Sequence, residues 1–152
     1  MFLNRTTLAI TLNHKPIIGF TSSAFDLLHA GHMVMLQEAR EKCDYLIVGL
    51  LVDPTVDRPD TKNAPIQSVA ERYLQLSGCK YVNEVIPFQT ERDLIDLILT
   101  INPDIRFVGE EYRDKNHTGV GLCPIFYNSR RHTFSSTELR SRIEKTISKK
   151  VV

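Results

Sequence analysis

Residues 17–32 read IIGFTSSAFDLLHAGH, in which a short apolar run ends in small residues and an aspartate before a helical pattern that carries two histidines begins. Such a junction is typical of a strand that leads into a helix in a parallel sheet. It places both imidazole rings and the free backbone N–H groups of the first helical turn at one helix N-terminus, which favours a bound phosphate. The stretch therefore predicts a fold class and an anion site together.

Apolar runs and helical patterns continue to alternate along the rest of the chain. Strands are predicted at 17–21, 45–52, 81–87, 105–108 and 124–127, and helices at 29–43, 66–76, 91–101 and 137–149. This alternation predicts a single-domain α/β fold with a doubly wound, five-stranded parallel sheet, whose ligand lies beyond the carboxyl ends of the strands. We assign residues 16–150 to this domain and residues 1–15 to an N-terminal arm, either an added strand or a loose lead-in.

Composition limits the function classes. A chain of 152 residues with 42% hydrophobic residues can form one domain with a sizeable core. Nineteen basic and eighteen acidic residues give a net charge of +1, so no overall field attracts nucleic acid or an acidic membrane. Three dispersed cysteines fit free thiols in a reducing compartment. Since the pattern of a signal peptide and a membrane-spanning run are both lacking, we expect a cytoplasmic protein without membrane or nucleic-acid partners.

The two histidines are the main candidates for chemistry. His29 and His32 stand three residues apart at a helix start, so both rings can reach one ligand, and Gly31 would let that ligand approach the backbone. Imidazoles donate hydrogen bonds near neutral pH, which suits the charge that develops during phosphate transfer. The alternatives are a surface or helix-capping histidine and a zinc site, although zinc would need a third ligand at a suitable spacing that the sequence lacks.

The segment FDLLHAGH at 25–32 resembles the GxFDxxHxGH signature of the cytidylyltransferase-like nucleotidyltransferases. The segment RRHTFSST at 130–137 resembles, more loosely, the second signature of that family, RTxGISTT, and the resemblance covers residues 17–143. It implies transfer of a nucleotidyl group from a nucleoside triphosphate to a small phosphorylated acceptor, with release of pyrophosphate and with Mg²⁺ as cofactor. Members of the family are commonly dimers, so we expect a homodimer.

The resemblance also implies roles for individual residues. His29 and His32 would stabilise the transition state at the α-phosphate, while Arg130 would hold the departing phosphates. The expected nucleotide contacts are Ser22, Ser23, Ala24, Phe25, Asp26, Gly31, Gly109, Glu111, Ser135, Ser136 and Thr137, and Lys62 would contact the acceptor. No protein ligands for a metal are predicted.

Simpler explanations exist for several of these positions. Ser135 and Glu138 form the pattern of a capping box, which explains Ser135 without a ligand. Lys62 and the acidic residues that follow Gly109 fit a solvated loop and a solvated turn. Arg72 matches a helical arginine of the family, but an exposed ion pair explains it equally well.

The first expectation for the reaction is CTP with glycerol 3-phosphate, because the motifs and the short chain most resemble the glycerol-3-phosphate cytidylyltransferases of the family. The chief alternative is ATP with a sugar phosphate, as in the heptose-phosphate adenylyltransferases, whose first signature often also reads HAGH. A catalytically idle nucleotide-binding module is a third possibility, because Ser23, Ala24 and Thr133 replace the usual Gly, Thr and Gly of the signatures. A dinucleotide dehydrogenase would need a G-x-G-x-x-G after the first strand.

Overall fold

The computed structural model describes residues 4–129 and 132–149. In chain order the elements are α1 (Arg5–Leu12), β1 (Ile18–Ser23), α2 (Ala30–Arg40), β2 (Tyr45–Leu51), α3 (Val69–Ser77), β3 (Glu84–Phe88), α4 (Glu91–Ile101), β4 (Ile105–Gly109), a 3₁₀ turn (Glu110–Tyr112), β5 (Ile125–Asn128) and α5 (Ser136–Ser148). The five strands form one parallel sheet in the order β3-β2-β1-β4-β5. The predicted α/β class and five-stranded parallel sheet are confirmed, and the winding reverses between β1 and β4.

Both faces of the sheet are covered. One apolar cluster joins α2 and α3 to the sheet through side chains such as Leu36, Leu76 and Phe107. The other cluster lies on the opposite face, where Ile98 of α4 packs against Phe20 of β1. Burial on both sides explains why the central strands are almost continuously apolar. In the described part of the chain, the helices are too short or too polar for any of them to cross a bilayer.

The N-terminal arm forms a helix, so the expected strand or loose lead-in is wrong for residues 5–12. The side chain of Asn4 begins α1 by accepting hydrogen bonds from the backbone N–H groups of Thr6 and Thr7. Arg5 then donates to the carboxylate of Asp104 (3.3 Å) and to the carbonyl of Asn102 (2.6 Å). These contacts fasten α1 to the junction between α4 and β4.

Arg72 of α3 is buried, with 2% of its surface exposed, so the exposed ion pair is wrong. Its guanidinium makes four hydrogen bonds to backbone carbonyls. The acceptors are the carbonyl oxygens of Gln67 (3.1 Å), Ala24 (2.8 Å), Leu51 (2.8 Å) and Val52 (2.6 Å). Arg72 therefore joins the segments that follow β1 and β2, the central strands of the sheet.

Candidate active site

A cleft of ≈ 1140 Å³ opens at the carboxyl ends of β1 and β4, where the winding of the sheet reverses. Ligands bind at this place in doubly wound folds. The predicted residues that line it are Ser22, Ser23, His29, Gly31, His32, Gly109, Glu111, Ser135, Ser136 and Thr137. The fold therefore brings the start of α2 and the start of α5, which lie about a hundred residues apart, to one cavity.

The two histidines cap the helix that carries them. Nδ1 of His29 accepts a hydrogen bond from the backbone N–H of Gly31 at 3.0 Å, and Nδ1 of His32 accepts one from the backbone N–H of His29 at 3.4 Å. The rings stack with their centroids 4.0 Å apart and an angle of 26° between their planes. Since both Nδ1 atoms are acceptors, each neutral ring carries its proton on Nε2.

The environment of His32 keeps its ring neutral. Burial, together with the neighbouring ring of His29, lowers the pKa of His32 from 6.5 to about 3, although the carboxylate of Asp26 opposes this shift. The ring of Phe25 lies beside it, with the centroids 5.2 Å apart. At neutral pH the ring of His32 is therefore uncharged and serves as a hydrogen-bond donor in the cleft wall.

His29 links the first turn of α2 to the first turn of α5. Its Nε2–H donates to Oγ of Ser136 at 3.1 Å, and that hydroxyl donates to the backbone carbonyl of Asp26 at 3.4 Å. Ser135 caps α5, because its Oγ accepts the N–H of Glu138 at 3.1 Å. The described bonds of α5 contain only this half of the predicted capping box. Two helix N-termini thus meet at the cleft, and both favour a bound anion.

Asp26 and Phe25 do not line the cleft. The carboxylate of Asp26 accepts the backbone N–H groups of Ile66 (3.0 Å) and Gln67 (2.9 Å). A third hydrogen bond comes from Nη2 of Arg140 in α5 at 2.6 Å. Burial raises the pKa of Asp26, but these three hydrogen bonds outweigh it and hold the pKa below 3.8. Phe25 is 1% exposed and belongs to the core. Both side chains therefore support the residues of the cleft wall without lining the cleft themselves.

Two other predicted residues lie outside the cleft lining, and a third is not among the described residues. Ala24 is absent from the cleft lining, and its carbonyl accepts a hydrogen bond from Arg72. Lys62 is exposed on the loop between β2 and α3 and is absent from the cleft lining. Arg130 lies outside the described residues, so its role in holding phosphates stays a prediction.

The space left by the missing side chain of Gly31 is occupied by other residues of the protein. A Cβ atom at this position would lie 2.9 Å from both Cε1 of His29 and the carbonyl oxygen of Phe134, and 3.0 Å from Cε1 of His132. Gly31 still lines the cleft, but the rings of His29 and His132 and the backbone of Phe134 fill part of the space beside it, so close approach of a ligand to Gly31 stays a prediction. One of the backbone N–H groups expected to be free at the start of α2 is not available to a ligand, because the N–H of Gly31 donates to Nδ1 of His29.

In the segment that follows β4, one acidic side chain is exposed to solvent and the other lines the cleft. Glu110 forms an exposed ion pair with Arg113, in agreement with a solvated turn. Glu111 and Tyr112 instead line the cleft. The carboxylate of Glu111 lies directly against Gly109, where a side chain would collide with it. Only Glu111 of the acidic pair is therefore placed to contact a ligand.

Several residues of the cleft wall were not predicted from the sequence. His132 lines the cleft, and its Nδ1 is buried without a hydrogen-bond partner among the described residues. Its position in the segment before α5 was the available signal. Asn128 at the end of β5 donates to Glu38 of α2 at 3.0 Å, which holds this strand end in place. Arg106 also lines the cleft, and its only signal was a lone charge inside an apolar strand.

No group of three His, Cys, Asp or Glu side chains suited to a metal occurs in the part of the chain that the structure describes. A resident metal cluster therefore does not fit these residues. Mg²⁺ needs less from a protein, because in nucleotide sites it is held largely by phosphate oxygens and water.

Comparisons with known proteins agree with this geometry. The sequence profile of the cytidylyltransferase-like family matches residues 20–142. The chain is 39% identical over 102 residues to the bifunctional protein HldE of Granulibacter bethesdensis, covering 67% of this chain and 21% of that protein. It is 42% identical over 105 residues to HldE of Wolinella succinogenes, covering 69% and 22%. The chain thus spans about one fifth of the length of these relatives.

Two solved structures share the fold of this chain. The lipopolysaccharide core biosynthesis protein from Thermoplasma volcanium superposes with a TM-score of 0.56 at 27% identity, covering 86% of this chain and 88% of that one. Pantothenate synthetase from Thermus thermophilus shares the fold at 16% identity and a TM-score of 0.51, covering 82% and 64%. With the family profile matching most of its length, the chain belongs to the cytidylyltransferase-like family of nucleotidyltransferases.

Proposed function

We propose that the chain transfers an adenylyl group from ATP to a sugar phosphate, forming an ADP-sugar and pyrophosphate. The observation that carries the transfer chemistry is the stacked pair of His29 and His32, with His32 held neutral, where two helix N-termini meet in one cleft. Such a site offers fixed donors and two positive dipole ends to a group of phosphates.

The relatives favour the sugar phosphate over glycerol 3-phosphate. The sequence relatives described above carry the name HldE, and none carries the name of a glycerol-3-phosphate cytidylyltransferase. The structure at 27% identity is a lipopolysaccharide core biosynthesis protein, and a lipopolysaccharide core is built from sugars. CTP with glycerol 3-phosphate, the first expectation from the motifs, therefore becomes the alternative.

The residues of the cleft suit an in-line transfer without a covalent enzyme intermediate. A phosphate oxygen of the acceptor would attack the α-phosphorus of the nucleotide, and the bond from that phosphorus to the oxygen that bridges to the β-phosphate would break. Negative charge grows on the oxygens of the five-coordinate phosphorus. The Nε2–H of His32 would donate to this charge without reorientation, because the hydrogen bond to its Nδ1 already fixes the ring.

The remaining elements would bind the triphosphate. The first turn of α5, with Ser135 and Thr137, offers hydroxyl and backbone donors to the leaving pyrophosphate. Mg²⁺ would enter with the triphosphate as its chelated counterion, and no step here is assigned to a protein-bound metal.

A panel assay tests this proposal. The protein is incubated with Mg²⁺, each of the four nucleoside triphosphates and either hexose 1-phosphates, heptose 1-phosphates or glycerol 3-phosphate. Pyrophosphate is measured and the products are identified by mass. We expect ADP-sugars from ATP. Turnover confined to CTP and glycerol 3-phosphate would establish the alternative, and nucleotide binding with no pyrophosphate would establish an idle binding module.

His32→Ala tests the catalytic assignment. Because one preorganised donor to a transition state contributes about 10²–10³-fold in rate, we expect a loss of that size in pyrophosphate release with the fold retained. His14→Ala is the matched control, since His14 is exposed and faces Asp44 at 3.8 Å, outside the cleft. If His32→Ala kept the rate of the control, the mechanism would be refuted.

A further inference from the structure

Arg106 of β4 is a buried cation with too few partners. It is 5% exposed and lines the cleft. Its Nη1 donates to the carbonyl oxygen of Thr118 at 2.6 Å, and its Nε is buried without a partner. Among the described residues, no carboxylate forms an ion pair with it. A guanidinium has five N–H donors, and its burial is unfavourable unless they are paired.

Arg72 shows how the same chain satisfies an arginine whose role is structural. Arg72 is even more buried, at 2% exposed, and its guanidinium donates to four backbone carbonyls. It does not line the cleft. Arg106, with one carbonyl acceptor and a place in the cleft wall, lacks the acceptors that a purely structural role supplies.

Two further arginines of the cleft wall have carboxylate partners, although Nε of Arg58, like that of Arg106, is buried without a partner among the described residues. Nη2 of Arg58 lies 3.1 Å from a carboxylate oxygen of Glu91. Nε of Arg92 lies 3.3 Å from a carboxylate oxygen of Asp96. Glu91 also acts on Arg106 through its charge, but neither carboxylate forms an ion pair with Arg106, so the guanidinium can still pair with an anionic ligand.

Arg106 points to the opposite face of the sheet from the histidine pair. Its neighbour Phe107 packs with α2 and α3, and successive side chains of a strand point to opposite faces. Arg106 accordingly lies on the side of α4, close to Gly119. A side chain at Gly119, where φ is +80°, would meet Nη1 of Arg106 at 2.6 Å and Cδ1 of Ile98 at 2.7 Å. The backbone at Gly119 thus covers the guanidinium directly.

The cleft connects these two faces across the sheet edge, because both Arg106 and the histidines line it. Arg106 lies three residues before Gly109, the last residue of β4, which corresponds to roughly 10 Å along the strand. A sugar phosphate has dimensions of this order. An acceptor that reacts at the histidine pair and extends across this edge would place its far end toward Arg106.

We propose that Arg106 is an oxyanion subsite, and that the acceptor carries a second anionic group, a carboxylate or a phosphate, at the end remote from its reacting phosphate. This inference rests on the proposed function, in which the acceptor is a sugar phosphate. A guanidinium pairs with either group through two parallel N–H donors, which would supply the acceptors that Arg106 lacks.

Calorimetry with three matched sugars tests the subsite. The full chain, saturated with a non-hydrolysable ATP analogue, is titrated with glucose 1-phosphate, glucuronate 1-phosphate and glucose 1,6-bisphosphate, of which the last two add a carboxylate or a phosphate at the far end. We expect at least one of them to bind about tenfold or more tightly than glucose 1-phosphate, and the comparison identifies the anion. Arg106→Met and Arg106→Gln are expected to abolish this preference.

Arg113→Gln is the control, because it removes one positive charge from an exposed pair with Glu110 outside the cleft, and the preference is expected to persist. Arg106→Gln keeps an N–H donor for the carbonyl oxygen of Thr118, so this variant is the one to test if Arg106→Met does not fold. A wild-type chain that binds neither two-anion sugar more tightly than glucose 1-phosphate overturns the proposal. So does a preference that survives in a folded Arg106 variant.

Thermal melting separates this role from a structural one. Because Arg106→Met removes a buried, poorly paired charge, its melting temperature is expected to equal or exceed that of the wild type. A lower melting temperature with an unchanged preference would assign Arg106 to holding the loop at Thr118 and overturn the subsite. Binding is read here without turnover, so the pyrophosphate assay judges the proposed function separately.

Discussion

Replacing Asp26 with asparagine is expected to destabilise the protein by about 3–5 kcal/mol, as breaking a buried charge pair typically does. The carboxylate accepts three hydrogen bonds, from Ile66, Gln67 and Arg140. Each hydrogen bond to a charged group contributes about 1.5–3 kcal/mol. The amide of asparagine has only one acceptor oxygen, and its NH₂ group would face N–H donors with which it cannot form hydrogen bonds. The loss of one backbone hydrogen bond and of the bond to Arg140 would cost about 3–6 kcal/mol on this scale, which overlaps the expected 3–5 kcal/mol. It is a large part of the about 5–15 kcal/mol that stabilises a typical domain.

Equilibrium denaturation in urea at neutral pH measures this loss. Arg140→Gln and the double variant complete a double-mutant cycle, which isolates the energy of the pair. Asp96→Asn is the matched control, since its exposed pair with Arg92 contributes only about 0.5 kcal/mol or less. If Asp26→Asn lost no more stability than the control while nucleotide affinity fell, Asp26 would contact the nucleotide, and the structural role would be refuted.

The lowered pKa of Asp26 predicts that the free energy of unfolding decreases at acid pH. The folded protein holds the pKa of Asp26 below the ordinary 3.8, so its carboxylate contributes its full stabilisation above that value. The contribution is lost as pH falls through the lowered pKa, because the unfolded chain then binds the proton first. Denaturation over an acid pH series is expected to show this loss in the wild type and less of it in Asp26→Asn. An equally steep fall in the variant would assign the acid lability to other groups.

Arg72→Met is expected to lose about 3 kcal/mol or more of unfolding free energy in urea, because four carbonyls lose a charged donor, whereas Arg113→Met is expected to change little. Gly31→Ala is expected to slow pyrophosphate release about tenfold or more, since its Cβ displaces the ring of His29; an unchanged rate would show that the ring position is not critical. The chain is proposed to be a homodimer, so light scattering is expected to give twice the mass of one chain, and a single-chain mass would contradict it.

Much of the fold could be predicted because hydrophobic periodicity decides it locally. The α4 helix begins and ends where its pattern does, at Glu91 and Ile101. The predicted helix at 66–76 begins instead at Val69, because the N–H groups of Ile66 and Gln67 donate to Asp26, forty residues earlier in the chain. Helix α1 escaped prediction because its attachment is carried by Arg5 and its partners near residue 104, which lie far away in sequence.

The site could be predicted as far as spacing determines it. Three residues of separation place His29 and His32 together, but the direction of their hydrogen bonds depends on the backbone around them. Asp26 looked like a ligand residue in the motif, and its partner Arg140 lies 114 residues further on. Arg106 gives only a weak local signal, one charge inside an apolar strand, because its burial and its lack of partners depend on the folded structure.

The walls of the cleft belong to two helix layers that the sheet keeps apart. The histidine pair depends on packing around α2, whereas the wall near Arg106 depends on α4 and the segment that covers it. Substitutions in α4 would therefore leave intact the hydrogen bonds by which His29 and His32 cap α2. A library randomised at positions of α4 and around Thr118 would thus sample new binding shapes while preserving the reactive end, which makes this small scaffold suited to directed evolution.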